Sequence, residues 1–279
     1  TYGAGTNRVA TVSDGTRPWN YSYDGNNHLD TVTRPDGSTW SYELLPLFHA
    51  WIQYYSPGYC NAGTMATTGF TGSMTHPSGA VGTFTVTPTR HGRRYVPYNC
   101  ITTGPSFGHL VEPGTFDTLA LTRKQVSGAG LAAISWDYTY SPAAPCYVMG
   151  GRTAPPIPCP WPEVANTKTV DVTLTEPETL TTPLRAVTQR YTFGTRYEVD
   201  EGKMLKLQVG NFNAWKRTDE ITYAASSGKA FPDPVGYSIN IRGDAAYSQR
   251  IAPQSMKRSN ISGRDFTWTA TNWDVYGNP

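Results

Sequence analysis

The chain has 279 residues, and its 23 basic and 21 acidic side chains leave a formal net charge of +2. This balance excludes the class of nucleic-acid-binding proteins that concentrate basic residues on one face. Aromatic residues make up 13% of the chain, which excludes a sequence that stays disordered. Because no apolar run approaches the ~20 residues of a spanning helix, we also predict no membrane span.

Short segments with an apolar residue at every second position recur along the chain, whereas helical periodicity is almost absent. Thr, Tyr, Trp and Val dominate these segments, as suits a half-buried pleated surface. In chain order they are residues 8–13, 19–23, 28–33, 40–42, 81–86, 134–140, 170–174, 190–193 and 266–269. Asp-Gly, Ser-Gly and Glu-Gly turn signals lie between them. The pattern predicts an all-β fold of antiparallel hairpins.

The first two predicted hairpins repeat each other. Residues 8–13 align with residues 28–33, and each segment is followed by an Asp-Gly turn and by a strand that carries Trp and Tyr. A single hairpin of this size cannot bury its own apolar face. We therefore expect the copies to stack and to share a continuous core.

This unit resembles the tyrosine-aspartate (YD) repeat of the RHS family. Residues 23–42 contain the Tyr-Asp pair, the Val-Thr strand, the Pro-Asp-Gly turn and the aromatic returning strand of that repeat. Similar stretches are residues 172–177 with 190–193, residues 196–209, and residues 273–279, while residues 75–80 with 83–86 match more weakly. The repeat residues in these matches are Tyr23, Asp24, Asp36, Gly37, Trp40, Tyr42, Tyr197, Asp200, Gly202, Asp274 and Gly277.

The sequence departs from the family pattern in two ways. Asn27 and His28 replace the Gly-Arg of the repeat in its best copy. The Asp-Pro-x-Gly boundary of self-cleaving members occurs once, at residues 233–236, without its partner. Self-cleavage is therefore not expected.

The resemblance implies a β-solenoid of stacked antiparallel hairpins, as a segment of the shell of a larger bacterial RHS-type protein. Such a segment is non-catalytic and needs no cofactor, and the shell is secreted or at the cell surface, where it encloses an effector or mediates cell contact. The implied partners are the rest of its own longer polypeptide and an enclosed effector domain. Exposed edge strands also offer a surface for pairing with a neighbouring copy.

The same resemblance divides the chain into three regions. Residues 1–44 hold YD-repeat hairpins, and residues 45–165 are a repeat region with long insertions rich in Gly, Pro and Thr. Residues 166–279 hold YD-like hairpins, and we expect that series to be truncated at the C-terminus.

The cysteines point to an oxidising compartment. None of the four lies in a C-x-x-C pair, which disfavours a zinc site or a thioredoxin-type redox site. Of the three possible pairings we favour Cys146 with Cys159, which closes a proline-rich loop, and Cys60 with Cys100; four reduced buried thiols are the alternative. Disulfides predict an extracellular or cell-surface location.

Two other functions stay open. A carbohydrate-binding or adhesive module would use exposed aromatic and basic side chains, namely Trp51, Tyr54, Tyr55, Tyr59, Arg90, Arg93 and Arg94. The three arginines belong to the one basic cluster, residues 90–95, which would hold a sulfate, a phosphate or an acidic sugar by charge-assisted hydrogen bonds. Of the two interpretations of that cluster, we favour a solvated hairpin tip.

A glycoside hydrolase would need a pair of carboxylates, for which Glu176 with Glu178 and Asp200 with Glu201 are the candidates. Acidic residues in predicted turns are also explained by solvation alone. The five histidines show no metal-ligand spacing, so no metal site is predicted.

Overall fold

The computed structural model describes residues 2, 7–44, 47, 64–98, 100–102, 108–110, 114–141, 143–148, 157–160, 166–176, 185–197, 199–212, 214–224, 252–274 and 277–279. Within these residues the chain forms strands and no α-helix, so the all-β prediction is confirmed. The strands are β1 (Thr11–Ser13), β2 (Pro18–Tyr23), β3 (Leu29–Thr33), β4 (Thr39–Glu43), β5 (Phe70–Thr75), β6 (Val81–Gly92), β7 (Val96–Pro97), β8 (Cys100–Thr102), β9 (Gly108–Leu110), β10 (Thr115–Gly128), β11 (Leu131–Ser141), β12 (Tyr147–Val148), β13 (Thr167–Glu176), β14 (Arg185–Gly194), β15 (Met204–Asn211), β16 (Ala214–Tyr223), β17 (Gln254–Ile261) and β18 (Arg264–Thr269). In this part of the chain, no helix is long and apolar enough to span a membrane.

Fourteen strands form one antiparallel sheet in which the order in space follows the order in sequence, from β1 at one edge to β18 at the other. The remaining strands are short and lie in the connections: β7 pairs with β12 in parallel, and β8 pairs with β9. Such a meander arises when each connection joins a strand to the strand that pairs with it, as a hairpin turn does. The predicted side-by-side hairpins are therefore present as one large sheet.

Four turns share one five-residue geometry, and three of them connect paired strands of the sheet. The N–H of the first residue donates to the carbonyl of the fifth, and the N–H of the fourth donates back to the carbonyl of the first, at 2.8–3.0 Å. These turns span residues 24–28, 34–38, 76–80 and 274–278. Their fourth residues, Asn27, Gly37, Gly79 and Gly277, have φ angles of 66–83°. This backbone region favours Gly and Asn, which explains the residues found there.

The two faces of the sheet differ in chemistry. Cross-strand register places the apolar and aromatic residues opposite one another on one face, which we call the aromatic face; it includes Tyr21, Val32, Trp40, Tyr42, Met74, Phe84, Trp136, Tyr138, Leu174, Val172, Tyr191, Leu207, Phe266 and Trp268. The opposite threonine face includes Thr31, Ser41, Thr75, Thr85, Gln125, Ser135, Thr173, Thr188, Gln208, Thr218 and Thr267. Alternation along the strands produces this separation, although register shifts interrupt it in several strand pairs.

Few of the described apolar side chains are fully buried. Among the residues that the structure describes, Val96, Tyr98 and Tyr147 form a cluster of buried apolar side chains, with Tyr197 packed against it. By contrast, Trp40 and Tyr42 of the best repeat copy are only half-buried. The predicted shared core is thus a half-covered aromatic face, and the compact packing lies instead where β6 and the connections around β7 and β12 meet.

Candidate functional site

The basic cluster predicted from the sequence lies at this packed point of the molecule. His91, Arg93 and Arg94 are 8%, 2% and 4% exposed, so the solvated hairpin tip was the wrong interpretation. We call the surrounding region the basic hub, and it comprises residues 90–95 with Phe116, Asp117, Asn166, Lys168, Thr195, Tyr197 and Glu201. The hub joins segments of the chain that are far apart in sequence.

Backbone contacts fix the chain as it leaves β6. Gly92 lies so close to the carbonyl of Ala143 that a Cβ would overlap it, and the N–H of Arg93 donates to the carbonyl of Gly114 at 2.7 Å. The Arg93 carbonyl in turn accepts from the N–H of Cys146 at 3.1 Å. The predicted disulfide between Cys146 and Cys159 is present and closes the adjoining loop.

Two bidentate ion pairs join different segments of the chain within the hub. The guanidinium of Arg90 donates to both oxygens of Asp117 on β10 at 2.7 Å, and this hydrogen bonding raises the pKa of Arg90. Arg93 donates to both oxygens of Glu201 at 2.6 and 3.1 Å and lies 5.1 Å from the ring centre of Tyr197. Bidentate geometry of this kind fixes orientation as well as charge.

Arg94 is held differently, because its described contacts are all with neutral groups. Its Nε donates to Oδ1 of Asn166 at 3.1 Å, and its Nη1 donates to the carbonyl of Ala144 at 3.2 Å. Its Nη2 is buried and has no hydrogen-bond partner among the described residues. A buried cation without a counter-charge is unfavourable, since the lost hydration is not replaced.

His91 is a buried neutral imidazole. Its Nε2 lies 3.1 Å from Oγ1 of Thr118, and its ring packs against Phe116 and Tyr140, with ring centres 5.1 and 6.2 Å apart. Burial and then the charge of Lys168 lower its pKa to about 4, against a smaller opposing effect of Asp117. His91 therefore carries no charge at neutral pH.

Lys168 lies beside this ring system at the start of β13. Its Nζ lies 5.4 Å from the centre of the Phe116 ring. Burial lowers the pKa of Lys168, while the nearby charge of Glu201 opposes that shift. The sequence analysis missed this residue, although a signal exists: Lys168 occupies the apolar position of the alternation that continues with Val170, Val172 and Leu174.

The repeat aspartates stabilise the turns in which they lie. Oδ1 of Asp24 accepts the N–H of His28 at 2.8 Å, and Oδ1 of Asp274 accepts the N–H of Asn278 at the same distance. The hydrogen bond from the His28 N–H is the main reason why the pKa of Asp24 is lowered. In the turn at residues 34–38, Asp36 accepts from the hydroxyl and the N–H of Ser38, and these bonds lower its pKa.

The repeat copy at residues 196–209 has a different turn. Asp200 accepts from the N–H of Arg196 at 2.9 Å and from its Nε at 2.8 Å, so its carboxylate points back along the chain. The residue with positive φ is Gly202, two positions after Asp200, instead of three. Tyr197 packs on the buried cluster. The YD-like residues of this copy therefore take part in the packing of the hub and not in a five-residue hairpin turn.

A concave region lies beside the first hairpins. It has a volume of about 470 Å³, and its walls include Asp24, His28, Asp30, Tyr42, Glu43 and Ser73. No group of acidic, His or Cys side chains among the described residues could hold a metal ion. The Tyr23 hydroxyl donates to the carbonyl of Val9 at 2.8 Å, which fixes the strand beside this region.

Several predicted site residues lie outside the described residues. These are Trp51, Tyr54, Tyr55, Tyr59, Cys60 and Glu178; only the backbone of Cys100, in β8, is described. Of the acidic pairs, Asp200 and Glu201 are each held by an arginine, Arg196 and Arg93 respectively. Glu176 ends β13.

Comparison of the chain with known protein families finds no match, and comparison with curated proteins finds no significant relative.

Proposed function

We propose that the chain is a non-catalytic structural segment of a secreted or cell-surface YD-repeat shell, in which the aromatic face lines the inside of the wall. The observation that carries this proposal is the sequence-ordered antiparallel sheet of 14 strands with one aromatic and one threonine face. The resemblance of residues 23–42 to the YD repeat supplies the family. The disulfide between Cys146 and Cys159 agrees with an oxidising, extracellular location.

A meander is suited to enclosure because it grows by local additions. Each strand of this sheet pairs with the strand before it and the strand after it, so further hairpins extend the wall without rearranging it. Large antiparallel sheets also twist and coil, because every strand is rotated relative to its neighbour. A long meander with one aromatic face and one hydroxyl-rich face supports the β-solenoid arrangement that we propose.

The turn at residues 274–278 supports the rest of the polypeptide as the main partner. The same geometry joins β2 to β3 at residues 24–28, and β5 to β6 at residues 76–80. In each of those cases the chain returns antiparallel to the strand that it has just left. In the proposed wall, the same geometry would direct the chain after the turn back along residues 270–273, which follow β18.

Enclosure is tested by comparing two neighbouring positions on β13 that point to opposite faces. Val172→Cys places a thiol on the aromatic face, and Thr173→Cys is the matched control on the threonine face. Each variant is made in the full-length native polypeptide and treated with a maleimide that carries a polyethylene-glycol chain too bulky to cross the wall. We expect labelling of the Thr173→Cys thiol alone, with both thiols reacting after denaturation.

Equal and fast labelling of the two introduced thiols in the folded protein would overturn enclosure. Labelling of the Val172→Cys thiol alone would overturn the assignment of the aromatic face to the inside.

A further inference from the structure

A pair of aromatic rings lies on the threonine face of the sheet instead of the aromatic face. Phe212 and Trp215, at the hairpin between β15 and β16, pack edge to face with their ring centres 6.0 Å apart. The guanidinium carbon of Arg190 lies 5.1 Å from the centre of the Phe212 ring and 5.8 Å from that of Trp215. Arg190 pairs across the strands with Gln208, which belongs to the threonine face, so the two rings lie over that face.

A β-bulge in β16 brings Trp215 to this face. Val209 of β15 pairs with Arg217, whereas the next residue of β15 pairs with Trp215, so Lys216 is an extra residue in β16. Without the bulge, Trp215 would share the face of Arg217, because residues two apart in a strand point to the same side. The residue of β15 at this point is Gly210, with a φ of 147°, and a Cβ there would overlap the backbone of β16.

Neighbouring side chains hold the two rings in place. Asp171 accepts hydrogen bonds from Nε and Nη2 of Arg190 at 2.7 and 2.9 Å, and the fixed guanidinium holds the rings through cation–π contacts. Phe212 is nevertheless 50% exposed, so part of its ring surface stays open to a ligand. We call Phe212, Trp215, Arg190 and Asp171 the Phe212 platform.

The chemistry of the platform matches that of a neutral sugar. A pyranose ring has a face of C–H groups, which packs against an aromatic ring, and hydroxyl groups, which both donate and accept hydrogen bonds. The platform offers the exposed ring of Phe212 beside Nη1 of Arg190, which lies outside the ion pair with Asp171, and Gln208 supplies an amide in the position opposite Arg190. Because Asp171 matches the charge of Arg190, the platform does not select a charged ligand.

We propose that the Phe212 platform binds a neutral saccharide, with a pyranose ring stacked on Phe212 and its hydroxyls bonded to Arg190 and Gln208. A protein partner is the competing occupant, because Phe, Trp and Arg also anchor protein interfaces. Two rings beside Thr188 and Thr218 are, however, a small apolar area compared with the roughly 800 Å² that each partner of a stable interface buries. Saccharide binding does not depend on enclosure, although the proposed wall would display the platform on its outer side.

The test is native gel electrophoresis of the 279-residue chain through gels that contain a soluble neutral polysaccharide, with a β-glucan, a xylan and a galactomannan used separately. We expect at least one of them to retard the wild-type chain relative to a gel without polysaccharide. Added sodium chloride should leave the retardation unchanged, because the ligand carries no charge. From the concentration dependence, Phe212→Ala should raise Kd by about tenfold, whereas Phe212→Tyr keeps the ring and should bind as the wild type does.

Phe266→Ala is the matched control, since Phe266 is 57% exposed but lies on the aromatic face, in β18. It should keep the full retardation. A wild-type chain that none of the three polysaccharides retards would overturn the proposal and leave a protein partner as the occupant, and this result does not depend on the folding of any variant. Equal weakening by Phe212→Ala and Phe266→Ala would overturn the site, and retardation that disappears in added salt would overturn the neutral ligand.

Discussion

His91 shows how position in the fold changes the chemistry of a single residue. Its imidazole is enclosed by Phe116, Tyr140 and Lys168, and these surroundings hold its pKa at about 4. In the unfolded chain the same group has an ordinary pKa near 6.5. Between these two values the unfolded state binds a proton that the folded state does not. The free energy of unfolding must therefore fall as the pH falls through this window.

We expect the His91 contribution to cost about 2 kcal/mol between pH 7 and pH 5. His91→Gln can keep a hydrogen bond with Thr118 but does not titrate, so it should remove most of the loss within this pH range. The measurement is the free energy of unfolding from denaturant titrations at a series of pH values. The same pH dependence in the variant and in the wild type would contradict a buried, neutral His91.

The residues of the basic hub also mark the limit of sequence reasoning. The sequence singled out Arg90, Arg93 and Arg94 as a cluster, but it could not show whether they are exposed. That outcome depends on partners such as Glu201, which is 108 residues away from Arg93. Spacing along the chain carries no information about such a pair, because only the folded connections bring its members together.

At the scale of elements, local sequence predicts the hairpin turns far better than it predicts the long-range pairs of the hub. An Asp-Gly or Ser-Gly pair between alternating segments predicts a hairpin because the turn needs a residue that adopts positive φ at low cost. Residues 34–38 and 76–80 form such turns, as the pattern indicates. The register of the paired strands then follows from the alternation, since a one-residue slip would move the aromatic residues to the other face.

The turn geometry makes a prediction about two glycines of the first hairpins. Gly37 has a φ of 82°, whereas Gly25 is outside the left-handed region, and a Cβ at either position would meet no atom within 4 Å. Gly37→Ala should therefore destabilise the chain by about 1 kcal/mol through backbone strain alone. Gly25→Ala, the matched control, should change stability by no more than about 0.5 kcal/mol.

Chemical denaturation of the two variants measures the difference. Equal effects of the two substitutions would mean that the turn at residues 34–38 does not hold its fourth residue at positive φ.

At the scale of the whole molecule, the sequence predicted the kind of fold but not the distribution of packing. Repetition of the YD-like unit indicated hairpins that lie side by side, and the sheet has this arrangement. A continuous core shared by the stacked hairpins was expected, because a single hairpin cannot bury its own apolar face. Most residues of the aromatic face are instead half-buried. Each strand of the sheet contacts only its two neighbours, so a side chain on that face is covered only by the side chains next to it.

The state of the last sheet strand follows from its hairpin. Ser262 and Gly263 both have positive φ, at 50° and 84°, as in a two-residue type I′ turn between β17 and β18. The flanking residues Ile261 and Arg264 of such a turn exchange both hydrogen bonds. Alternation then directs the N–H groups of Arg264, Phe266 and Trp268 toward β17, and those of Asp265, Thr267 and Thr269 toward the other edge.

Amide hydrogen exchange can therefore distinguish a wall segment from a true end of the sheet. In the 279-residue chain, the N–H groups of Arg264, Phe266 and Trp268 should exchange slowly and those of Asp265, Thr267 and Thr269 quickly. In the full-length polypeptide all six should be protected, because the next strand of the wall would bind the second set. Alternating protection that persists in the full-length polypeptide would make β18 the end of the sheet and would contradict the wall. Uniform protection in the 279-residue chain would instead mean that neighbouring copies pair through this edge.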